Sequence, residues 1–412
     1  MFNIIFYFPY KGIGGVSLLF LRLSKYLAND YNVFLVDFRD GCMGRETPNG
    51  VNFIDIESVT RYPDNSVLVL QSLAPWNIRD IAKFPPDTRV IFWNLHPQNL
   101  YPNILSTYSS SRINRIVANL LKSLSLLRRH KLAKVVEYLT TRQALVFMDN
   151  ENYIRTQQYY PKSTLVKDIV PILSPVSRIC KSELRSILRC CWVGRIVDFK
   201  IHILSHLIRR LDSAVANVGP IEMTIVGEGD ALEQLQSQIS HLNRVQVLFR
   251  SEMSPNILDE YLDSQVDILF AMGTSALEGA SRAIPTFLLD YSYVPVYGLY
   301  KFKYIYESEN YSLAELIDGE LFFEMRSTLE AKLIDIKRFS NGIGQECHDY
   351  WQKFYSPDIV SHTFLKYVKS STATIADFLS LDFNKPDLIS LAVRSLLRQA
   401  RGCNELSGFY DN

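Results

Sequence analysis

The feature that most constrains the fold of this chain is an alternation of short apolar runs with longer segments of helical periodicity. Six such runs lie within residues 1–150, at Ile4–Phe8, Val33–Phe38, Val51–Ile56, Val67–Gln71, Val90–Leu95 and Ala144–Met148. A glycine loop and an expected helix at Val16–Leu27 follow the first run. Continuous apolar strands separated by helices predict a parallel sheet that is covered on both faces.

The alternation stops at residues 170–177, VPILSPVS, which we interpret as a linker, and then begins again. The second series contains the apolar runs CCWVG, MTIVG, VQVLF, VDILF and PTFLL, with helices expected at Ile201–Leu211, Leu232–Leu242, Asn256–Leu262 and Thr274–Ala283. Helical patterns continue at 322–369 and near 388–398. We therefore expect an α/β protein with two Rossmann-like doubly wound domains that face a cleft, followed by C-terminal helices.

The expected domain boundaries are 1–172, 173–350 and 351–412, and we expect the last segment to pack back on the N-terminal domain. Tandem domains of this class bind ligands at the carboxyl ends of their strands, which places the expected site in the cleft between them.

Composition narrows the choice of partners and compartment. The formal net charge of +1 gives no global field for binding nucleic acid. The six cysteines form no C-x-x-C pair, which indicates free buried thiols in a reducing compartment. The opening residues MFNIIFYFPYKG have no basic region before their apolar run, so we interpret them as a first strand and not as a signal peptide. We expect a cytoplasmic protein.

Three segments of the second series carry the candidate chemistry: Trp192–Lys200, Met223–Asp230 and Phe270–Asp290. Each places a glycine turn or a helix start directly after an apolar strand. Arg195 and Lys200 add two cations, and a carboxylate, Glu278, lies one turn into the helix expected at Thr274–Ala283. Cations and helix N-termini bind diphosphate, and a nearby carboxylate suits ribose hydroxyls, so the set predicts a nucleotide-sugar site. The competing interpretation is a pair of solvated surface cations and a helix-surface carboxylate.

These segments resemble the GT-B glycosyltransferases, specifically the retaining, family-four-like group (group 1 glycosyltransferases). WVGRIVDFK is similar to that group's strand–Gly-Arg–x4–Lys signature, VGEGD to its glycine turn, and ALEGASRAIPTF to its Glu-containing helix and following strand. The resemblance implies that Arg195 and Lys200 hold the diphosphate, that Glu278 holds the ribose hydroxyls, and that the backbone of Ser251–Met253 faces the base. It also implies front-face attack with retention, in which the departing phosphate takes the proton of the acceptor hydroxyl.

One position departs from the group's pattern. The second carboxylate usually found eight residues before Glu278 is replaced here by Phe270. We find no D-x-D motif either, so we expect no metal and no cofactor besides a UDP- or GDP-linked sugar donor. Two fixed cations and the N–H groups at the start of the helix expected at Thr274–Ala283 would then stabilise the leaving diphosphate. The expected donor-binding residues are Gly14, Gly15, Arg195, Lys200, Gly227, Ser251, Met253, Gly273, Thr274, Ser275 and Glu278.

The N-terminal half contributes a glycine loop, KGIGGVS, and a histidine at a strand end. The resemblance implies that Gly14 and Gly15 line the cleft and that His96 contacts the donor sugar, so His96 joins Arg195 and Lys200 as an expected catalytic residue. The simpler alternatives are a tight strand–helix turn and an ordinary loop histidine. A dinucleotide site is a further alternative, because Asp37 ends the second strand, although Ser17 replaces the third glycine of the fingerprint.

Asp149 follows the last strand of the N-terminal half, where the resemblance places a loop that enters the cleft. An N-cap for a helix at Glu151–Tyr159 is the favoured interpretation of this residue.

Residues 112–142 carry eight Lys and Arg against one Glu, a net charge of +7, with apolar residues at helical spacing. Such a basic amphipathic arm suits an anionic membrane surface, through cations that include Arg128, Arg129 and Lys131. A core-facing helix with a solvated basic face and an oligomer contact are the alternatives.

The sequence thus favours a retaining, metal-independent glycosyltransferase that transfers a sugar to a glycan. We expect a lipid-linked acceptor in bacterial surface polysaccharide (O-antigen or capsule) synthesis, on the inner face of the plasma membrane. An epimerase of the same fold or a non-catalytic nucleotide-sugar-binding protein would use the same nucleotide residues.

Overall fold

The computed structural model describes residues 2–12, 14–71, 75–96, 99–100, 129–174, 176–179, 186–298, 300–317 and 329–385. The chain divides into two compact units. One consists of Met1–Ile172 together with Val360–Asn412, and the other consists of Leu173–Ile359.

Helices are numbered along the chain. They are α1 (Gly15–Leu27), α2 (Cys42–Arg45), α3 (129–141), α4 (Asn150–Tyr159), α5 (Asp198–Val218), α6 (Leu232–Ile239), α7 (Pro255–Gln265), α8 (Thr274–Ser281), α9 (Leu329–Phe354), α10 (Pro357–Ser370) and α11 (Ile375–Ser380).

The first unit contains a six-stranded, fully parallel sheet in the order β3-β2-β1-β4-β5-β6. Its strands are β1 (Asn3–Tyr7), β2 (Asn32–Asp37), β3 (Asn52–Asp55), β4 (Ser66–Gln71), β5 (Arg89–Asn94) and β6 (Leu145–Phe147). Every residue of β4 is buried, as expected for a central strand whose two faces are both covered by helices. The sequence prediction of a parallel sheet in this half is confirmed.

The C-terminal helices complete this unit. Phe364 of α10 packs against Phe6 and Trp93, with ring centroids 5.6 Å apart in both pairs. The guanidinium of Arg89 donates a hydrogen bond of 3.1 Å to the carbonyl of Val368, near the end of α10. Because the last carbonyls of a helix lack intrahelical donors, this bond caps α10 and ties it to β5.

The second unit repeats the strand order of the first. Its sheet runs β12-β11-β10-β7-β8-β9, parallel except for β12 at the edge. Its strands are β7 (Leu188–Val193), β8 (Ile221–Val226), β9 (Gln246–Arg250), β10 (Ile268–Ala271), β11 (Thr286–Leu288) and β12 (Lys303–Tyr304). The two doubly wound sheets predicted from the sequence are therefore both present.

The longest departure from the expected element bounds is α5. The sequence predicts a helix at Ile201–Leu211, whereas α5 spans Asp198–Val218. Its apolar positions continue through Ala214 and Val218, both of which are buried. The helix ends at Gly219, whose positive φ of 95° is a common way to stop a helix.

The basic arm is described only in part, since residues 112–128, including Arg128, lie outside the described residues. Residues 129–141 form α3, whose apolar side is buried at Leu132, Val135, Val136 and Leu139. The ammonium of Lys131 lies 5.1 Å from the centroid of the Trp76 ring and donates to the carbonyl of Lys385. The core-facing alternative therefore describes this part of the arm, and Lys131 is engaged within the protein.

Two further findings concern membrane-spanning helices and the cysteines. Within the described ranges, no helix is both long enough and apolar enough to cross a bilayer. The described cysteines, Cys42, Cys190, Cys191 and Cys347, are all buried free thiols.

A buried histidine in the second unit gives this protein a defined sensitivity to acid. His206 of α5 is only 6% exposed and stacks on Phe302 at 6.1 Å. Burial, together with the nearby Arg209 and Arg210, lowers its pKa from 6.5 to about 4. The unfolded chain binds a proton at this site below pH 6.5 and the folded chain does not, so stability decreases as the pH falls from 6.5 to 4.

We expect His206→Leu to remove roughly 2 kcal/mol of the stability that is lost between pH 7 and pH 4.5, from the size of the shift. The measurement is the free energy of unfolding at pH 7, 5.5 and 4.5 for wild type and variant. His241→Leu, at an exposed position, is the matched control. Parallel pH profiles for wild type and His206→Leu would contradict the assignment.

Candidate functional site

The second unit has a reversal of strand order between β7 and β10, the type of position at which open α/β sheets bind ligands. The two strands pair directly, with Trp192 opposite Phe270. The segments that leave them, Gly194–Lys200 and Met272–Thr274, therefore start side by side at the same edge of the sheet. The sequence predicted that both would contribute to one site.

The two predicted cations lie close together at this edge. Arg195 is exposed and Lys200 is half-buried at the first turn of α5. The Lys200 ammonium lies 5.8 Å from the ring centroids of both Trp192 and Phe199. Burial lowers the pKa of Lys200, and the charge of Arg195 lowers it further.

In the part of the chain that the structure describes, neither Arg195 nor Lys200 has a carboxylate within ion-pair distance. Two neighbouring cations without a counter-charge repel each other, and partial burial increases the cost. A bound anion would offset both the repulsion between the two cations and the cost of burying Lys200, and it would raise the pKa of Lys200 again. The geometry thus favours a ligand with at least two negative charges.

Gly227 has a packing role that the sequence analysis did not assign to it. Its φ is 138°, and a Cβ atom there would lie 2.0 Å from the carbonyl oxygen of Gly194. The backbone N–H of Gly194 donates to the carbonyl of Val226 at 3.0 Å. The turn after β8 therefore touches the turn after β7 backbone to backbone, and it fixes the segment that carries Arg195.

The start of α8 is open to a ligand on one side. Gly273 precedes the helix with a φ of 62°, and a Cβ atom there would meet no other atom within 4 Å. The N-cap residue, Gly273, has no side chain that could cap the helix start. Thr274 is exposed and Ser275 is half-buried, so the first N–H groups of α8 are placed where an anion can accept from them.

Glu278 is half-buried on the first turns of α8, and its backbone is anchored by a residue that the sequence analysis missed. Arg282 is 4% exposed and donates from Nη1 to the carbonyl of Glu278 at 3.0 Å. Its guanidinium also pairs with Asp263 at 2.9 Å and with Asp259. No spacing signal marks Arg282 in the sequence, because its partners on α7 are known only from the fold.

Phe270 belongs to the sheet and not to a loop. It is fully buried in β10 and stacks on Phe287 with ring centroids 4.8 Å apart. Only Met272 and Gly273 separate β10 from α8. The position eight residues before Glu278 therefore lies in the core, so a carboxylate there would be buried among aromatic rings.

Ser251 and Met253 follow β9, two strands away from β7. Ser251 is exposed and Met253 is half-buried, just before α7 begins. Their predicted contact with the base stays a prediction.

The predicted residues of the first unit lie at its own sheet edge. Gly14 immediately precedes α1, and Gly15 is the first residue of that helix. His96 is exposed and follows β5 by two residues. Asp149 is the N-cap of α4, accepting from the backbone N–H of Asn152 at 2.8 Å. The favoured interpretation of Asp149 is confirmed.

Asp37 does not support the dinucleotide alternative. Its side chain is fully buried and accepts backbone N–H groups from Tyr10 at 2.8 Å, Phe38 at 2.7 Å and Met43 at 3.0 Å. Burial raises its pKa to about 6 although these hydrogen bonds lower it. A carboxylate engaged in this way joins the loop after β1 to the loop after β2, and it is not available to a ribose.

No known protein-family model matches the chain, and no curated protein matches its sequence. Solved structures do match. Anabaena HepE, in complex with UDP and glucose, has a TM-score of 0.55 at 10% identity, covering 90% of this chain and 100% of that one. The lipopolysaccharide outer core galactosyltransferase WaaB has a TM-score of 0.51 at 11% identity, covering 90% and 99%. AviGT4, a glycosyltransferase of avilamycin A biosynthesis, has a TM-score of 0.51 at 12% identity, covering 90% and 97%.

These similarities extend over nearly the whole length of each chain, and they agree with the two doubly wound units described above. The chain has the two-domain GT-B fold. At identities this low, the similarity establishes the fold and leaves the reaction to be argued from the site.

Proposed function

We propose that this protein is a glycosyltransferase that moves a sugar from a nucleoside-diphosphate donor to a glycan acceptor. The main observation behind this proposal is the pair Arg195 and Lys200, which lies where the strand order of the second unit reverses. These are two adjacent cations with no carboxylate partner among the described residues. The uncapped start of α8 at the neighbouring strand supports the same ligand. One structural neighbour, HepE, is known in complex with UDP and glucose and with UDP-glucose.

The chemistry required of these residues is stabilisation of a leaving group. When the bond between sugar and diphosphate breaks, negative charge develops on the β-phosphate. Arg195 and Lys200 would bind that charge more tightly as it grows, and the N–H groups of Thr274 and Ser275 would add fixed dipoles. Interactions that strengthen toward the transition state accelerate the reaction.

Retention and metal independence are part of this proposal. In this proposal Arg195 and Lys200 supply the charge stabilisation of the leaving diphosphate, and no metal ion is invoked. Activity after exhaustive dialysis against EDTA tests the second point, and the anomeric configuration of the product, read by NMR, tests the first.

A thermal-shift screen against UDP, GDP, ADP and their sugar conjugates tests the donor class. A ligand that binds only the folded state raises its stability by about 2.7 kcal/mol at a concentration one hundred times its Kd. We expect one nucleotide and its sugar conjugates to raise the melting temperature. Incubating the binding donor with glycans then distinguishes the activities, because transfer supports the proposal, epimer formation indicates an epimerase, and binding without turnover indicates a binding protein.

We also propose that the acceptor is a lipid-linked glycan of a bacterial surface polysaccharide and that the protein docks on the inner face of the plasma membrane. The seven Lys and Arg residues of 112–142 other than Lys131 support docking, since each Lys or Arg near an anionic surface contributes about 1 kcal/mol.

Reversing Arg128 and Arg129 to Glu is expected to reduce binding to vesicles containing phosphatidylglycerol by at least tenfold, measured by co-sedimentation. Lys131→Met is the comparison variant, because Lys131 is engaged with Trp76 and Lys385. We expect it to change stability more than vesicle binding. Undiminished sedimentation of the double reversal would remove the membrane proposal.

A further inference from the structure

An aromatic cluster lies beside the candidate diphosphate cations of the second unit. It consists of Phe199, Tyr291 and Tyr293. The ring centroid of Phe199 is 5.8 Å from that of Tyr291 and 5.9 Å from that of Tyr293, and the two tyrosines are 6.2 Å apart. Phe199 is adjacent to Lys200 in sequence, and the Lys200 ammonium lies 5.8 Å from the Phe199 ring. The cluster is therefore continuous with the anion site.

The outer part of this cluster is open to solvent to an unusual degree. Tyr293 is 57% exposed, and the neighbouring Val294 and Tyr297 are 59% and 70% exposed. Large aromatic side chains normally bury most of their surface, and a group of exposed ones beside a polar site commonly marks a binding surface. Tyrosine is suited to this role, because its ring face is apolar and its hydroxyl can hydrogen-bond.

The segment that carries these tyrosines is held by specific hydrogen bonds. The N–H of Ser292 donates to the carbonyl of Phe199 at 3.0 Å. Just before it, the buried carboxylate of Asp290 accepts from the Tyr300 hydroxyl at 3.0 Å and from the N–H of Glu315 at 2.9 Å. Rings presented from an anchored segment lose little conformational entropy when a ligand binds.

We propose that Tyr293, supported by Phe199, is a stacking surface for a pyranose ring whose position is set by the diphosphate. This inference rests on the proposed function, since it takes Arg195 and Lys200 as the diphosphate site. The axial C–H groups of a pyranose form an apolar face that packs on an aromatic ring, while its hydroxyls remain free for polar contacts.

The distances are consistent with one sugar unit. The Lys200 ammonium, the Phe199 ring and the Tyr293 ring follow one another at 5.8 Å and 5.9 Å, and a pyranose bonded to the β-phosphate extends over a comparable span. Phe270 is buried in the sheet, so the strand–helix connection after β10 supplies no carboxylate to the sugar. The aromatic cluster provides a different type of contact near the same phosphate.

The pyranose could come from the donor or from the acceptor glycan, and two measurements separate these sources. Calorimetric titration gives the affinity for UDP and for UDP-glucose and UDP-galactose, with GDP and GDP-mannose as the parallel set. Saturation-transfer NMR on nucleotide-saturated protein detects binding of lactose and cellobiose. Both measurements are made on the wild-type protein and on the variants Tyr293→Ala and Tyr293→Phe. Val294→Ala, at a similarly exposed position in the same segment, is the control.

For a donor pyranose, Tyr293→Ala should weaken the sugar nucleotide about three- to tenfold and leave the bare nucleotide unchanged. For an acceptor pyranose, it should leave both nucleotide affinities unchanged and abolish the disaccharide signal. Tyr293→Phe should retain most of either effect, because it keeps the ring, and Val294→Ala should behave as wild type.

The inference is overturned if Tyr293→Ala changes neither measurement, or if it weakens bare nucleotide and sugar nucleotide equally. Loss of vesicle binding or of a dimer, with both sugar measurements unchanged, would also overturn it and assign the surface to a membrane or to a second copy. Failure of the proposed function is recognised separately, because the wild-type protein would then bind none of the nucleotides.

Discussion

Replacing Lys200 by methionine is expected to lower kcat/KM for the sugar donor by about 10²- to 10³-fold, the usual cost of removing one donor from a charge-stabilising site. Methionine retains an apolar stem beside Trp192 and Phe199, so the fold around the first turn of α5 should survive. The effect has a physical cause specific to this site. Lys200 is half-buried beside Arg195, and an anion there meets two cations in a setting of reduced solvent screening.

Binding of the bare nucleotide provides a measurement that does not depend on the acceptor. Removing a charge-assisted hydrogen bond to phosphate costs about 1.5–3 kcal/mol, or roughly ten- to 150-fold in affinity. We expect this loss for Lys200→Met and for Arg195→Ala. Arg244→Ala removes an exposed cation from the same unit and serves as the control. A thermal shift with UDP or GDP that is equal in wild type and both site variants would refute the diphosphate assignment.

Replacing Gly227 by alanine is expected to destabilise the second unit strongly. The added Cβ would lie 2.0 Å from the carbonyl oxygen of Gly194, at a φ of 138° that side chains rarely adopt. Backbone cannot move away as a flexible side chain can, so the two turns must separate. We expect a loss of about 3 kcal/mol or more in the free energy of unfolding, together with weakened nucleotide binding.

Gly342→Ala provides the matched control for this variant. Gly342 lies within α9, and a Cβ atom there would meet no other atom within 4 Å. Alanine is favoured over glycine inside a helix by up to about 1 kcal/mol, so this change should be neutral or stabilising. Urea unfolding followed by circular dichroism measures both variants. Similar free energies of unfolding for the two would show that the turn after β8 tolerates displacement.

Local pattern was sufficient to predict the elements that form the site. Each strand end is followed within a few residues by its glycine turn or its cations, so these features can be recognised from a short stretch of sequence. Parallel strands then bring their carboxyl ends to one edge of a sheet. The adjacency of Arg195 and Lys200 followed from their place after a single strand. The strand order that puts β7 beside β10 is seen only in the folded sheet.

The remaining features depend on contacts between distant parts of the chain. Asp37 was open to a ribose-binding interpretation, because a carboxylate at a strand end looks the same whether it faces a ligand or three backbone N–H groups. Arg282 carried no signal, since its two acidic partners are on another helix. Phe270 could be compared with a motif position in the sequence, but only the fold shows that β10 extends through it.

The discontinuous composition of the first unit has a consequence for synthesis. Phe364, Ser371 and Ile375 contact Phe6, Val90 and Thr88, so part of the core of this unit is supplied from the far end of the chain. The second unit is a single uninterrupted stretch, Leu173–Ile359. During synthesis, the first unit therefore cannot complete its core until the segment after Ile359 has been made, and apolar surface of its sheet stays exposed until then. All residues of the second unit are synthesised before that segment, so the second unit can complete its fold earlier. The order of emergence and the order of completion are opposite in this protein.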